Sequence, residues 1–217
     1  MKTDADIKRD VEQELEWDPR FDARDIGVAV KDGVVTISGQ VRSFAERWAA
    51  QDATQSVGGV RAMANEIEVK LLAGGEPSDT ETAKAVLTAL QLNASVPVNT
   101  IHLVVQDGWV TLKGEVAFWF QKQAAESTVR HVHGVRGIAN DIALKAPVFT
   151  SDVKARIEQA FRRHAQLDAD KIRVHVSGGT VTLEGEVQSW PERNEAEAAV
   201  WAAPGVTSVQ DRLAIRP

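Results

Sequence analysis

Large aromatic side chains, each followed three residues later by a basic one, recur at three matched places in the chain. The three pairs are Phe44 with Arg47, Trp119 with Lys122, and Trp190 with Arg193. Such a pair can anchor a protein at a membrane, because the ring lies at headgroup depth while the cation meets phosphate. The alternative is a hydrophobic staple, in which the ring packs on the entry of the helix.

The second of these places carries three consecutive aromatic residues, Phe118, Trp119 and Phe120. Three neighbouring side chains cannot all face one core, so this place favours an exposed binding surface more than the others do. Together with the pairs above, these residues are the predicted contacts to a lipid surface or a protein partner.

Other residue patterns predict no catalysis and no metal or cofactor site. The chain has no cysteine, which excludes disulfides, thiolate nucleophiles and Cys-based zinc sites. His131 and His133 are two residues apart, but no cluster of further ligands accompanies them, so a surface loop is favoured. Glu115 and Glu186 recur on the outward phase of a strand, and we expect them to be solvated.

A β-hairpin signal recurs with two glycines in each copy. Strictly alternating apolar residues flank Asp32-Gly33, Asp107-Gly108 and Gly178-Gly179, dipeptides that are typical of a tight turn. The second glycine of each copy lies on the apolar side of its strand, where it either lets a helix approach or forms a bulge. The predicted structural glycines are Gly33, Gly39, Gly108, Gly114, Gly179 and Gly185. No phosphate loop is predicted, because such a loop opens a helix N-terminus rather than a hairpin.

The hairpin belongs to a longer internal repeat, which is the dominant signal in the sequence. Residues 7–69, 82–144 and 153–215 align without a gap at offsets of 75 and 71. We therefore predict three modules, at residues 1–70, 79–145 and 150–217. The Gly-Gly and Pro-Ser of the first joint predict a flexible connection.

Each module combines two helical stretches with three strands. Ile7, Val11 and Leu15 are four apart and form one apolar helical stripe, which Asp18-Pro19 ends. The hairpin, a second helix and a final strand follow. The predicted fold class is α+β: three tandem αββαβ modules, each a three-stranded mixed sheet covered on one face by two helices.

Composition restricts the function classes and the compartment. The formal net charge is −6 and no block of Lys or Arg occurs, which argues against nucleic-acid binding. No apolar run reaches the roughly 18–20 residues of a membrane span, and the charged N-terminus lacks the apolar stretch of a secretory signal. We expect a cytoplasmic protein, or a periplasmic one if a leader was removed. The sequence leaves the oligomeric state open.

The repeat resembles the BON domain family, which is named for bacterial osmotically inducible and nodulation proteins. The resemblance rests on the Val-Thr-Leu-x-Gly-Glu-Val strands at 110–116 and 181–187, the Gly-Val after the second helix, and the final strand with Asn65, Asn140 or Asp211. It implies an osmotic or envelope stress role, with binding to phospholipid or association with transport and secretion proteins. Many family members are periplasmic with a leader and two modules, and this chain departs from that pattern.

The expected function is therefore a non-enzymatic, stress-associated binding protein whose tandem modules associate with phospholipid surfaces or envelope partners. One alternative is a chaperone-like scaffold, in which weak contacts gain strength from multivalency. The other is a cytoplasmic cation-responsive sensor.

Overall fold

The computed structural model describes residues 2–71, 77–145, 152–164 and 167–216, and parts of both predicted joints lie outside these ranges. The described residues repeat the order helix, strand, strand, helix, strand three times. The first module contains α1 Asp4–Trp17, β1 Ile26–Lys31, β2 Val34–Val41, α2 Phe44–Ser56 and β3 Ala62–Val69. The second contains α3 Asp79–Leu92, β4 Ile101–Gln106, β5 Trp109–Val116, α4 Trp119–Arg130 and β6 Gly137–Leu144. The third contains α5 Val153–Arg163, β7 Ile172–Ser177, β8 Thr180–Val187, α6 Trp190–Trp201 and β9 Ser208–Ile215.

Every module has a mixed sheet with its second strand in the centre. The first two strands are antiparallel and the third runs parallel to the second, because a helix connects them. The predicted fold class, with mixed sheets and two helices per module, is confirmed.

Each sheet buries its alternating apolar residues beneath its own two helices. In the first module Val35 and Ile37 of β2 are fully buried with Ile7 and Val11 of α1. Equivalent clusters form separately in the second and third modules. The three modules therefore have three interiors rather than one shared core.

The hairpin turn is held by a carboxylate from the first helix, which the sequence interpretation did not identify. Asp32 and Gly33 adopt positive φ angles of 53° and 74°, which turns their N–H groups to one side. Asp4 at the start of α1 accepts both N–H groups, at 2.8 Å and 2.9 Å. Asp79 of α3 accepts the N–H groups of the second module's turn in the same way. This clamp joins the helix to the far end of the hairpin.

The second glycine of each hairpin makes room for backbone, not for a helix. A Cβ at Gly39, whose φ is 136°, would overlap the carbonyl of Asp25, where the chain enters β1. Gly114 and Gly185 stand in the same relation to the carbonyls of Thr100 and Lys171. The prediction that a helix approaches this glycine is therefore wrong.

Removing the clamp should destabilise the second module. In D79A, the N–H groups of Asp107 and Gly108 lose acceptors that lie 2.9 Å away. We expect the free energy of unfolding to fall by about 2 kcal/mol, because hydrogen bonds to a charged acceptor are stronger than neutral ones. D79N keeps one acceptor oxygen and should lose about half as much. Urea unfolding measures the loss, and K84A on the exposed face of the same helix is the control. An equal effect of D79A and K84A would contradict the clamp.

Candidate functional site

The first residue of each second helix lies against a neighbouring module. Phe44 of α2 is half-buried against the core of the second module. Trp190 of α6 packs against the core of the first module as well as its own. Trp119 of α4 stacks on Trp201 at the end of α6, with ring centroids 5.7 Å apart and planes 4° from parallel. We call Phe44, Trp119 and Trp190 the edge aromatics.

The edge aromatics connect the modules in a cycle. Phe44 links the first module to the second, and Trp119 links the second to the third. Trp190 links the third module to the first, where α6 contacts α2 directly. Each contact uses the same position of the repeat, so the arrangement is head-to-tail and closes on itself, as in a cyclic oligomer. The chain therefore forms a ring of three modules joined through their second helices.

The junction between the first two modules also contains a cation that the sequence interpretation missed. The Arg130 guanidinium at the end of α4 lies 3.7 Å from the centroid of the Trp48 ring on α2. Its side chain is 13% exposed and has Glu126 as an ion-pair partner at 3.5 Å. Burial lowers the pKa of Arg130, while Glu126 and Asp52 act in the opposite direction. Arg130 and Trp201 occupy the same position of the repeat. Each contacts an aromatic ring of the preceding module: Arg130 contacts Trp48, and Trp201 contacts Trp119.

Two of the predicted basic partners are bonded to the last strand of their own module. Arg47 donates to the backbone carbonyl of Asn65 at 3.2 Å. Arg193 forms an ion pair with Asp211 at 2.5 Å, and its guanidinium also lies 5.0 Å from the centroid of the Trp190 ring. These contacts fasten the second helix to the sheet. The Lys122 backbone carbonyl accepts a bond from Asn140 at 3.1 Å, at the equivalent place.

Phe118 and Phe120 differ from the edge aromatics because they are exposed to solvent. They are 59% and 54% exposed and stack on each other, with centroids 5.6 Å apart. We call these two residues the Phe pair. Of the predicted binding residues, the Phe pair presents the largest exposed apolar surface, and the predicted binding role of the whole set stays a prediction.

The Phe pair stands where the other modules carry small residues. Ser43 and Ser189 cap α2 and α6 by accepting an N–H from Glu46 and Glu192. Phe118 occupies this position in α4 and has no oxygen to accept such a bond. The Gln121 side chain instead accepts the N–H groups of Ala117 and Phe118, at 3.0 Å and 3.1 Å. The replacement of serine by Phe118 at this repeated position is visible in the sequence and could have indicated this site.

The remaining aromatic and histidine residues have separate environments. Trp48 and Trp201 lie at module junctions, whereas Trp17 and Trp109 are 83% and 52% exposed. His131 contacts the backbone carbonyl of Ser127 at 2.9 Å. Within the described ranges, no group of three or more acidic or histidine side chains is arranged to hold a metal ion.

Comparison with known proteins matches the repeat to one family model. The BON domain model matches residues 3–70, 78–146 and 150–217. The chain belongs to the BON domain family. The predicted resemblance is thereby confirmed across all three modules.

One curated protein is similar to about two thirds of the chain. The chain is 30% identical to the osmotically-inducible protein Y of Escherichia coli (strain K12) over 146 residues, which span 65% of this chain and 73% of that protein. Among solved structures, CdsD, a structural protein of the type III secretion system of Chlamydia trachomatis, aligns with 98% of this chain and 93% of its own. The identity is 13% and the TM-score 0.29, so this alignment supports no conclusion. A second structure, the C-terminal domain of CdsD, aligns in full with 12% identity and a TM-score of 0.27.

The stacked tryptophans give the ring a spectroscopic signature. Two indoles stacked in parallel should couple and produce an exciton couplet in the far-ultraviolet circular dichroism spectrum. We expect W119F and W201F each to abolish the couplet, because each removes one member of the pair. We also expect each variant to weaken the contact between the second and third modules by about 1 kcal/mol, which is typical of an aromatic pair.

A control separates this signature from the other tryptophans. W17F changes an exposed indole at the end of α1 and should leave the couplet intact. A couplet that survives both W119F and W201F would show that the second and third modules are not docked through this stack.

Proposed function

We propose that this BON protein is a non-catalytic, stress-associated binding protein that attaches to phospholipid surfaces through the Phe pair of its second module. The single observation that carries the proposal is the replacement of a helix-capping serine by an exposed, stacked phenylalanine in one module of three. A serine cap contributes about 1 kcal/mol to a helix. Departure from such a local rule is expected where function requires it.

The surroundings of the Phe pair fit a membrane interface. The backbone N–H of the exposed Lys145 donates to the carbonyl of Val116, two residues before Phe118, so Lys145 and the Phe pair lie at the same end of the sheet. Lys145 also lines a cleft of about 510 Å³ together with Gln121, His102 and Glu115. Phenylalanine rings enter the boundary between headgroups and acyl chains, while a nearby lysine attracts lipid phosphate.

Another exposed aromatic, Trp17, is less suited to an anionic membrane. It ends α1, whose sequence contains six acidic residues and two basic ones. The groove beside Trp17 is lined by Asp10 and Glu14 as well as by Lys2. Like charge would oppose its approach to an anionic lipid surface. Within the described residues, no helix has the length and apolar character to cross a membrane.

Similarity to the osmotically-inducible protein Y supports the stress-associated part of the proposal. The chaperone-like scaffold, the cation-responsive sensor and the predicted location stay predictions. Both the cytoplasm and the periplasm offer a phospholipid leaflet, so the proposed attachment is compatible with either location.

A double variant that copies the first module's residues tests the attachment. F118S/F120A places Ser and Ala where the first module has Ser43 and Ala45. We expect its affinity for vesicles of equal parts phosphatidylcholine and phosphatidylglycerol to fall at least about tenfold, because two phenylalanine side chains are lost from the interface. Vesicle co-sedimentation at low salt measures the affinity. The restored cap should at the same time stabilise α4 by about 1 kcal/mol in urea unfolding, so unfolding cannot explain the loss.

Two further variants locate the surface. K145Q should weaken binding about fivefold on these vesicles and leave the weaker binding to pure phosphatidylcholine unchanged, since one lysine near an anionic surface contributes about 1 kcal/mol. W17S is the matched control and should bind as the wild type does. Loss of binding in W17S but not in F118S/F120A would move the contact to α1 and contradict the proposal. Failure of the wild type to sediment with vesicles at low salt would also contradict it.

A further inference from the structure

Trp109 lies flat on the outer face of the second module's sheet, on the side away from the helices. Its register partner on β6 is Gly137. A Cβ added to Gly137 would lie 2.5 Å from the ring carbons Cε3 and Cζ3 of Trp109. The ring therefore occupies the space that any other side chain at position 137 would need, and Gly137 is buried beneath it.

This pairing of the largest side chain with the smallest occurs in one module of three. The equivalent register pairs are Val34 with Ala62 in the first module and Thr180 with Ser208 in the third. Neither pair could form an aromatic platform. The second module is thus specialised at two residues that face each other across strands, although they are 28 positions apart in the sequence.

Polar groups surround the free side of the ring. Trp109 is 52% exposed and lines a cleft of about 480 Å³ with Gln106, Asp107, Thr111 and Arg136. Val104, which is 61% exposed, extends the apolar floor. An aromatic floor with a rim of amide, carboxylate, hydroxyl and guanidinium groups combines the apolar and polar parts of a small-molecule site, and the cleft volume lies within the usual range of about 300–1,000 Å³.

We propose that the cleft above Trp109 is a saccharide-binding site. A pyranose ring with equatorial hydroxyls has flat C–H faces that stack on an indole, whose electron-rich face attracts the slightly positive hydrogens. Its hydroxyl groups at the ring edge both donate and accept, which matches the carboxylate of Asp107 and the amide of Gln106.

A membrane surface fits this cleft less well than a sugar does. A ring held flat on a sheet does not project far enough to enter the headgroup region, unlike the Phe pair at a helix start. The saccharide site is therefore independent of the proposed phospholipid attachment, and each can fail without the other.

The test uses the full chain with two probes, cellotriose and chitotriose, and sorbitol as the acyclic polyol control. Titration is followed by the indole N–H resonance of Trp109 in a nitrogen–proton correlation spectrum, assigned through W109F. We expect a saturable shift of this resonance with at least one of the two trisaccharides, at a millimolar dissociation constant, and no saturable shift with sorbitol.

Variants separate the platform from the rest of the protein. G137A keeps Trp109 but places a methyl group under its ring, so it should weaken trisaccharide binding at least tenfold. For W109A and W109F, which lack the reporting indole, the backbone amide resonance of Gly137 beneath residue 109 reports binding. W109A should bind at least tenfold more weakly and W109F should retain part of the affinity, because a smaller aromatic ring remains. W17F is the matched tryptophan control and should bind as the wild type does. The same spectra report whether each variant is folded.

Three outcomes would overturn the proposal. One is the absence of any saturable trisaccharide shift at Trp109 in the wild type. Another is unchanged binding in a folded G137A protein. The third is a Trp109 resonance that responds to phosphatidylglycerol vesicles and not to either trisaccharide, which would assign the ring to a lipid surface.

Discussion

The contact between the first residue of each second helix and a neighbouring module holds the three modules together. A module of about 60 residues buries a small core and is marginally stable alone. Each second helix packs its small apolar face on its own sheet, which leaves the helix start at the rim of the module. A large side chain at that rim extends beyond its own module and packs on a neighbouring one, as Phe44 and Trp190 do.

The ring is assembled with limited burial. A compact protein of this mass would expose about 9,800 Å² and three separate modules together about 13,000 Å². The chain has a solvent-accessible surface of 12234 Å², which is closer to the value for three separate modules. Arg130 Nε and Trp190 Nε1 are buried at the junctions and have no hydrogen-bond acceptor among the described residues. The junctions are therefore individually weak, and their strength in the chain comes from covalent linkage, which raises the effective concentration of each module near the next.

The second module carries the specialised surfaces of the ring. Its Phe pair replaces a capping serine, and its Trp109 covers a glycine, at positions where the first and third modules have small or medium side chains. The second module keeps its docking residue Trp119 and differs at neighbouring positions that face solvent. The outer face of the third module is instead crossed by ion pairs such as Arg212 with Glu184 at 3.2 Å. The second and third copies of the fold thus present chemically different surfaces.

The module fold could be derived from the sequence, because its determinants are local. Four-residue spacing of Ile7, Val11 and Leu15 specifies a buried helix face, and alternation around Asp32-Gly33 specifies a hairpin, whatever surrounds them. The sequence also predicted that at least one of residues 118–120 faces outward, since three adjacent aromatics cannot all enter one core, but it did not show which. Contacts between distant residues did not follow. Asp4 clamps a turn 28 residues away, Trp119 stacks on Trp201, and Arg130 lies over Trp48 only because the modules close into a ring. Such pairings depend on orientations that no periodicity encodes, so the tertiary structure alone decided which aromatic residues join modules and which face solvent.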